Sequence, residues 1–362
     1  MRIALLGTRG IPANYGGFET FAEHLSTRLA RRGHTVTVYC RQRHAEPTFQ
    51  GVRLQYLPTI RHKYFDTLAH TFISTLHLLF QHCDVALYCN AANALFTILP
   101  RLRGIPVALN VDGIERKRKK WNVLAKSWYR MSEFLATLLP NQIVTDAETI
   151  HDYYRDTYGR ESRFIAYGAA VEHAETCEAL QALGLEQYRY FFYVSRLEPE
   201  NNALMVRHAF EKTRTDLRLA LVGDAPHAAE YIRQVRDTDD PRIVIPGAIY
   251  GQGYRELGTF CFAYIHATEV GGTHPALIEA MGRGALVLYR NTAENAEVCG
   301  GCGIPFESES DLTAKLQMTL EMTDAERGEY QQRAVARVRE RYDWEAVTDK
   351  YEGLLRELAV GS

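Results

Sequence analysis

Long hydrophobic runs, a second paired cysteine motif to complete a zinc site, and a strong excess of one charge are all missing from this chain of 362 residues. Its apolar runs are far shorter than the roughly 20 residues that a helix needs to cross a bilayer, so we expect no transmembrane helix. The first apolar stretch, residues 3–7, is also too short for the hydrophobic region of a signal peptide, and we interpret it as a buried strand. A hydrophobic content of 46% with 24% charged residues is typical of a globular protein.

The seven cysteines are scattered and form no complete disulfide framework or zinc site. Most lie in apolar, strand-like segments, as buried thiols in a reducing compartment do, and we therefore expect a cytoplasmic protein. Cys299 and Cys302 have the spacing of a redox or zinc pair, but no second pair completes a zinc site. We favour a structural turn there, with a redox pair as the alternative.

The net charge of −2 conceals an uneven distribution. Residues 1–171 carry 22 Lys and Arg against 13 Asp and Glu, whereas residues 172–362 carry 20 against 31. The halves therefore have net charges of +9 and −11, which predicts different partners for each. A basic half suits an anionic membrane surface or a lipid diphosphate, and solvated charges are the alternative. We expect no nucleic-acid partner.

Short apolar runs alternate with amphipathic stretches along the chain, the pattern of a doubly wound α/β protein. Because the length exceeds what one core usually supports, we predict two Rossmann-like domains facing a central cleft, residues 1–171 and 172–343. A C-terminal helix over residues 344–362 is expected to pack back across the hinge. The predicted strands are residues 3–7, 35–40, 85–89, 107–111, 142–145, 190–195, 217–223, 243–246, 262–266 and 285–289, and the main helices are 18–32, 202–212, 228–237, 276–281 and 344–358.

The most informative segment is EVGGTHPALIEAM, residues 269–281, which follows a predicted strand. Gly271 and Gly272 let the backbone approach a ligand, Thr273 is a good N-cap, and Pro275 fits the first helical turn. The free N–H groups of such a helix N-terminus favour a phosphate. Glu279, further along the helix, can accept hydrogen bonds from a sugar diol. The segment therefore indicates a nucleotide-sugar ligand and glycosyl transfer.

Other candidate residues also follow predicted strands, and ligands of such sheets bind outside the carboxyl ends of the strands. Arg196 can neutralise a phosphate, with a surface ion pair as the alternative. Asp112 can orient a hydroxyl of the sugar or acceptor, with a cap or turn role as the alternative. The loop ending in Gly16 and Gly17 can contact a diphosphate or be a structural turn. Gly223 lies in a further strand-end loop. Another such loop contains Gly247, Ile249 and Tyr250, and its backbone groups can hold a nucleobase.

A basic run, Arg116, Lys117, Arg118, Lys119 and Lys120, can contact a lipid-diphosphate acceptor or anionic lipid at the inner face of the cytoplasmic membrane. A solvated face is the alternative. The dinucleotide fingerprint G-x-G-x-x-G is absent, which disfavours an NAD enzyme. We also find no DxD-type metal motif in a suitable loop, and so expect a metal-independent reaction without a cofactor.

With these segments the chain resembles retaining glycosyltransferases of the GT-B fold, family GT4, over nearly its whole length. TRGIPANYGGFE, VDGIERKRKKW, RLEPENN, VGDAPHAAEY, GAIYGQGYREL, VGGTHPALIEAMGRG and NAEV resemble the subgroup that carries the DUF1972 region and includes rhamnosyltransferases. The resemblance implies that Arg196 contacts the donor diphosphate and Glu279 the nucleotide ribose. It implies that Thr273 and His274 donate hydrogen bonds to the phosphates. It also implies that Gly16 and Gly17 contact the donor diphosphate and line the acceptor side of the site. Asp112 stands where many relatives place a catalytic-pocket His.

Two positions depart from the broad family pattern. Asn201 stands where the family usually has Lys, and Gly271 where it has the first Glu of a paired-Glu motif. Glu269 lies two residues earlier, and whether it replaces that Glu is open. The lost contacts to sugar hydroxyls fit a 6-deoxy sugar better than glucose, so the resemblance favours dTDP-L-rhamnose as donor.

We therefore predict a retaining glycosyltransferase that moves L-rhamnose from dTDP-L-rhamnose onto a lipid-linked saccharide of a surface polysaccharide. A family relative using a UDP- or GDP-sugar is the nearest alternative. A nucleotide-sugar epimerase of the same fold, or a non-catalytic sugar-nucleotide-binding subunit, are the more distant ones.

Overall fold

The computed structural model describes residues 1–14, 16–60, 62, 65–118, 121–225 and 228–361. The chain forms two compact units, which we call unit 1 (Met1–Gly168 with Trp344–Ser362) and unit 2 (Ala169–Asp343). Each is built on its own sheet with helices around it. The predicted α/β class with two parallel-sheet domains is confirmed.

Unit 1 contains strands whose apolar runs are buried, as strands covered on both faces are. They are β1 (Arg2–Leu6), β2 (Thr35–Cys40), β3 (Thr48–Phe49), β4 (Val52–Tyr56), β5 (Val85–Cys89), β6 (Val107–Asn110), β7 (Gln142–Thr145) and β8 (Arg163–Phe164). Their order in the sheet is β3-β4-β2-β1-β5-β6-β7-β8. All neighbours are parallel except β3 and β4. The sequence prediction missed β3, β4 and β8, which lie at the two edges of the sheet.

The helices of unit 1 carry the amphipathic pattern that the sequence predicts. On the first, Phe21, Leu25 and Leu29 are fully buried against the sheet. Within residues 1–168 of unit 1, the helices are α1 (Gly17–Arg31), α2 (Asp66–Leu78), α3 (Ile98–Leu102), α4 (Val123–Ala136) and α5 (Glu148–Tyr158). Two 3-10 turns lie at Ala91–Thr97 and Glu115–Lys117.

Unit 2 is built on a second, wholly parallel sheet, in which Phe192 of one central strand lies beside Ala220 of the next. The strands are β9 (Tyr190–Val194), β10 (Arg218–Val222), β11 (Ile243–Gly247), β12 (Ala263–His266), β13 (Val287–Arg290) and β14 (Ile304–Phe306). Their order is β11-β10-β9-β12-β13-β14. The prediction that the strand near residues 285–289 is the last one is wrong, because β14 follows it at the edge. Pro305 hides β14 in the sequence, since proline is tolerated only in edge strands.

The helices of unit 2 alternate with and follow the strands of this sheet, and the final helix of the chain returns to unit 1. They are α6 (Glu178–Ala182), α7 (Ala203–Glu211), α8 (Ala229–Arg236), α9 (Gly251–Thr259), α10 (Pro275–Gly282), α11 (Ala293–Cys299), α12 (Glu309–Glu321), α13 (Asp324–Arg341) and, in unit 1, α14 (Trp344–Val360). On α14, the Trp344 ring stacks on His24 of α1 with centroids 4.8 Å apart. Arg32, just after α1, pairs with Glu352 of α14 at 2.9 Å. These contacts fix α14 to α1.

Candidate nucleotide-sugar site

The strand-end loops of unit 2 are joined by backbone hydrogen bonds. Ser195 N donates to Val222 O at 3.2 Å, and Gly223 N donates to Gly247 O at 2.9 Å. Gly223 has a φ of +153°, and a Cβ there would lie 1.9 Å from Ser195 O. Only glycine fits at such a close approach of two backbones. The candidate positions Gly223 and Gly247 are thus brought together beside the loop that carries Arg196.

The Arg196 loop is held by the side chain of Asn201. Asn201 is buried, and its amide Nδ2 donates to Arg196 O at 2.6 Å. Glu269 N donates to Glu200 O at 3.1 Å, which joins this loop to the segment that follows β12. The Arg196 guanidinium is 29% exposed and lies 3.9 Å from Glu198. Asn201 therefore shapes the loop, while the Arg196 side chain stays accessible.

The N-cap of α10 lies one residue later than the sequence suggests. The prediction that Thr273 is its N-cap is wrong: the N-cap is His274, and Pro275 is the first helical residue. The His274 ring occupies the space beside Gly271, where an added Cβ would lie 2.2 Å from His274 Nε2. Asn295 Oδ1 lies 2.9 Å from His274 Nδ1 and fixes the ring. Gly271 is thus needed for the ring to pack, a role that the sequence prediction did not foresee.

The rest of the glycine segment is also fixed from within unit 2. Gly272 and Thr273 are buried. The Asn295 amide donates to Thr268 O at 2.9 Å and so holds the start of the segment. Glu269 Oε1 lies 3.4 Å from Arg290 Nε, so its carboxylate is turned toward a cation of the protein itself.

Glu279 on α10 belongs to a small charged network. The Tyr254 hydroxyl on α9 donates to Glu279 Oε2 at 2.6 Å. Arg283 Nη2 lies 3.8 Å from the same oxygen and 3.1 Å from Glu172 Oε1, and its guanidinium stacks 4.6 Å above the Tyr254 ring. Burial raises the pKa of the Glu279 carboxyl, whereas Arg283 and Tyr254 act to lower it. The network orients a carboxylate that can accept hydrogen bonds from a diol.

The loop predicted to hold a nucleobase lies after β11. Gly247 ends this strand with a φ of +93°. Tyr250 is the N-cap residue of α9, and its side chain is 53% exposed. Ile249 is partly buried, with its Cγ2 3.0 Å from the Cβ position of Gly253. An exposed aromatic ring at a strand end can stack on a base.

Two candidate glycines lie in unit 1. Gly16 is the N-cap of α1 and Gly17 its first residue. The preceding loop is held by Glu19 of α1, whose Oε1 accepts a hydrogen bond from Arg9 N at 2.8 Å. The one acidic residue of this first turn therefore holds the loop in place. Tyr15 lies outside the described residues.

Asp112 follows β6 in unit 1, and its backbone is in the left-handed region with a φ of +55°. Its N–H donates to Asn110 Oδ1 at 3.1 Å. Burial first, and then the Glu115 carboxylate, raise the pKa of Asp112, while Arg118 lowers it. The side chain is also hydrogen-bonded to Asp146. A carboxyl with a raised pKa at a strand end is typical of functional sites.

The basic run is only partly available to a ligand. Arg116 pairs with the buried Glu133 at 3.0 Å, and Arg118 pairs with Glu115 at 2.7 Å. Lys117 is exposed. Two of the predicted contact residues, Lys119 and Lys120, lie outside the described residues. The arginines of this run thus form ion pairs within unit 1.

Neither a metal-ligand cluster nor a membrane-spanning segment is found in the part of the chain that the structure describes. No group of three His, Cys, Asp or Glu side chains there is arranged to hold a metal ion. No described helix combines the length and the hydrophobicity that crossing a bilayer requires.

Two parallel-sheet α/β units, one with polar and glycine-rich loops gathered at the carboxyl ends of its strands, define a nucleotide-binding class of protein. Residues 15–173 match the family described as Glycosyltransferase Family 4, and residues 188–322 match Glycosyl transferases group 1. The chain therefore belongs to the GT4 glycosyltransferases. A comparison with curated proteins gives no match.

Solved structures with the same fold are glycosyltransferases of the GT-B type. HepE of Anabaena, in complex with UDP and glucose, has 16% identity and a TM-score of 0.80 over 99% of this chain and all of its own. Sucrose-phosphate synthase of Thermosynechococcus elongatus has 18% identity and a TM-score of 0.79, with 100% of both chains covered. WaaG, a glycosyltransferase involved in lipopolysaccharide biosynthesis, has 16% identity and a TM-score of 0.74 over 98% of this chain and 99% of its own. The predicted fold and general activity are confirmed.

Four residues of the site were not found from the sequence. Arg283 lies four residues after Glu279 on one helix, and that spacing is a signal that such side chains are neighbours. Tyr254 and Glu172 come from distant segments, and no local pattern connects them to Glu279. Asn295 lies within the quoted NAEV motif, but its role in fixing His274 follows only from the fold.

Proposed function

We propose that this glycosyltransferase moves L-rhamnose, with retention, from dTDP-L-rhamnose onto a lipid-linked saccharide in the synthesis of a surface polysaccharide. The observation that supports the donor is the position of Gly271. The His274 ring fills the place of a side chain there, and Glu269 is turned toward Arg290. A carboxylate is therefore missing at position 271, where the broad family has a Glu that contacts the hydroxyls of a glucose-type sugar. We infer from this that the donor is a 6-deoxy sugar.

In the proposed reaction, the bond between the sugar and the nucleoside diphosphate breaks through an oxocarbenium-like transition state. The leaving diphosphate gains negative charge, which Arg196 and the N-terminus of α10 stabilise electrostatically. The acceptor hydroxyl attacks from the same face, and a phosphate oxygen of the donor takes its proton. A new glycosidic bond forms and the nucleoside diphosphate leaves with that proton. Glu279 binds the ribose diol.

We assign the remaining candidates to supporting roles in the same reaction. Asn201 positions the Arg196 loop through the hydrogen bond to the Arg196 carbonyl. Asp112 orients an acceptor or sugar hydroxyl, and Gly16 and Gly17 contact the diphosphate and acceptor side. We propose that the reaction needs no metal and no further cofactor, and that the enzyme works in the cytoplasm at the inner face of the membrane.

A UDP-sugar donor is the second candidate, since HepE is a structural neighbour described with UDP-glucose. A thermal-shift and titration panel separates these donors: dTDP-L-rhamnose, dTDP-glucose, UDP-glucose, UDP-N-acetylglucosamine, GDP-mannose and the free nucleotides. A ligand at about 100 times its Kd stabilises the fold by roughly 2.7 kcal/mol. We expect selective stabilisation by the dTDP compounds, with the largest shift for dTDP-L-rhamnose.

Two variants check that the shift comes from the assigned site. Arg196→Ala and Glu279→Ala should each reduce the shift, while Arg189→Ala, an exposed arginine on the same unit, should leave it unchanged. A preference for UDP or GDP compounds would overturn the donor. Binding that is unchanged in both site variants would overturn the site assignment and favour a non-catalytic subunit.

A further inference from the structure

Unit 1 exposes large hydrophobic side chains far more than unit 2 does. Of 18 such residues in the described part of the chain, 13 lie between residues 60 and 138. They sit in and beside α2, the turn Ala91–Thr97, α3 and α4. We call this set the apolar face: Ile60, Phe65, Phe72, Leu76, Phe80, Leu95, Ile98, Leu102, Val123, Leu124, Met131, Phe134 and Leu138. Concentrations of exposed apolar side chains of this kind mark a protein or membrane contact.

The elements that carry the apolar face pack together as one layer. Both α2 and α4 pack against the turn Ala91–Thr97, and α3 packs against α2. The Phe72 ring of α2 lies 5.8 Å from the Phe96 ring of that turn. Arg103, just after α3, donates to Leu79 O at the end of α2 at 3.2 Å. The exposed side chains are therefore neighbours rather than scattered positions.

Helix α4 shows most clearly that one side is left without a partner. Its buried positions are Tyr129, Ser132, Glu133 and Ala136. Its opposite side is apolar and open to solvent: Val123 is 78% exposed, Leu124 80% and Phe134 52%. Because no described residue of unit 1 covers this side, its burial would be driven by a surface outside the described chain.

The charges around the apolar face indicate the chemistry of that surface. Residues 61–138 contain 11 Lys and Arg but only five Asp and Glu. Four of the five carboxylates are used within unit 1, as the ion pairs Asp66–Arg41, Asp84–Arg2, Glu115–Arg118 and Glu133–Arg116. Five cations of the same segment are exposed: Arg101, Arg103, Lys117, Lys126 and Arg130. Exposed cations beside exposed apolar side chains match the surface of an anionic bilayer.

We propose that the apolar face is a membrane-docking surface, on which α4 lies in the headgroup region of an anionic bilayer. The contact is hydrophobic as well as electrostatic, and its cations are the five exposed ones rather than the paired arginines at 116 and 118. A second copy of the chain would bring the same cations against themselves in a two-fold contact, which disfavours self-association. The proposal does not depend on which sugar nucleotide the enzyme uses.

Vesicle flotation tests the proposal with the full chain. We expect the wild type to float with vesicles of phosphatidylglycerol and phosphatidylcholine, and only weakly with phosphatidylcholine alone. The triple variant Val123→Ser, Leu124→Ser, Phe134→Ser should lower the partition coefficient about ten-fold or more, since each change removes apolar surface from the contact. The matched control Met318→Ser, Val360→Ser changes exposed apolar residues elsewhere and should float as the wild type does.

Salt and fluorescence separate insertion from simple charge attraction. The double variant Lys126→Gln, Arg130→Gln should lose the salt-sensitive part of the binding only. Trp128 on α4 should be quenched by brominated lipids, whereas the buried Trp344 should not. Wild-type protein that ignores anionic vesicles at low salt, or a triple variant that floats unchanged, would overturn the proposal. A wild-type dimer in light scattering that the triple variant dissociates would overturn it in favour of self-association.

Discussion

The Tyr254→Phe substitution isolates the hydrogen bond that holds the Glu279 carboxylate. The hydroxyl donates to Glu279 Oε2 at 2.6 Å, and the side chain of Glu279 is only 16% exposed. A hydrogen bond to a charged group contributes about 1.5–3 kcal/mol, and one to a neutral group about 0.5–1.5 kcal/mol. Because the ionised form of Glu279 loses more than the neutral form does, the pKa of Glu279 is higher in the variant than in the wild type.

The sign of the pH dependence follows from this shift. Burial already raises the pKa of Glu279 above its ordinary value of 4.5. A carboxyl whose pKa is higher in the folded than in the unfolded state loses stability as the pH rises between those two values. Relative to the wild type, the variant is therefore destabilised by about 1.5–3 kcal/mol above this window, where Glu279 is ionised. Below the window, where Glu279 is neutral, it is destabilised by only about 0.5–1.5 kcal/mol.

Chemical denaturation at pH 4.5 and at pH 8 measures the effect. The matched control is Tyr190→Phe, which deletes another buried hydroxyl of unit 2, one that donates to the Leu257 carbonyl at 2.8 Å. Its loss of stability should be the same at both pH values, because a carbonyl does not titrate. If the two variants show the same pH-independent loss, Tyr254 does not stabilise an ionised Glu279 and the reasoning is refuted.

Two further substitutions test the packing and the electrostatics of the site. Gly271→Ala places a Cβ 2.2 Å from His274 Nε2 and should destabilise the protein by about 1–3 kcal/mol in thermal unfolding. Gly328→Ala on α13, where no heavy atom lies within 4 Å of an added Cβ, should not; equal effects would contradict the packing role. Asp112→Asn removes a carboxylate whose pKa is raised by burial and by Glu115, so the variant should gain stability over the wild type as the pH rises through that pKa. Its transfer rate should fall about 100-fold, and a rate equal to wild type would remove Asp112 from the site.

Buried parallel strands could be predicted from the sequence because they appear as continuous apolar runs. β2, β5 and β7 have the predicted bounds. Edge strands could not be predicted in this way: β3 has two residues and β14 contains Pro305, so neither shows an apolar run. The ends of elements were less predictable, because more than one polar residue can cap a helix. At the start of α10, for example, the N-cap is His274 and not the predicted Thr273.

The candidate site was predictable where single residues follow strands, and unpredictable where distant segments meet. The sequence alone indicates Arg196 and Glu279 through their strand-end and helix positions. It does not show that the Asn201 amide is taken by a backbone carbonyl, or that His274 fills the place beside Gly271. Such roles depend on tertiary packing, which brings together residues that no local pattern links.

The most direct test of the proposed function is the transfer reaction with purified protein, dTDP-L-rhamnose and a lipid extract of the source cells as acceptor. We predict release of dTDP and a lipid-linked product that is heavier by one deoxyhexose, and neither should appear with Glu279→Ala. Release of UDP from a UDP-sugar with no turnover of dTDP-L-rhamnose would contradict the assigned donor. Absence of any transfer from any sugar nucleotide would contradict the enzymatic role itself.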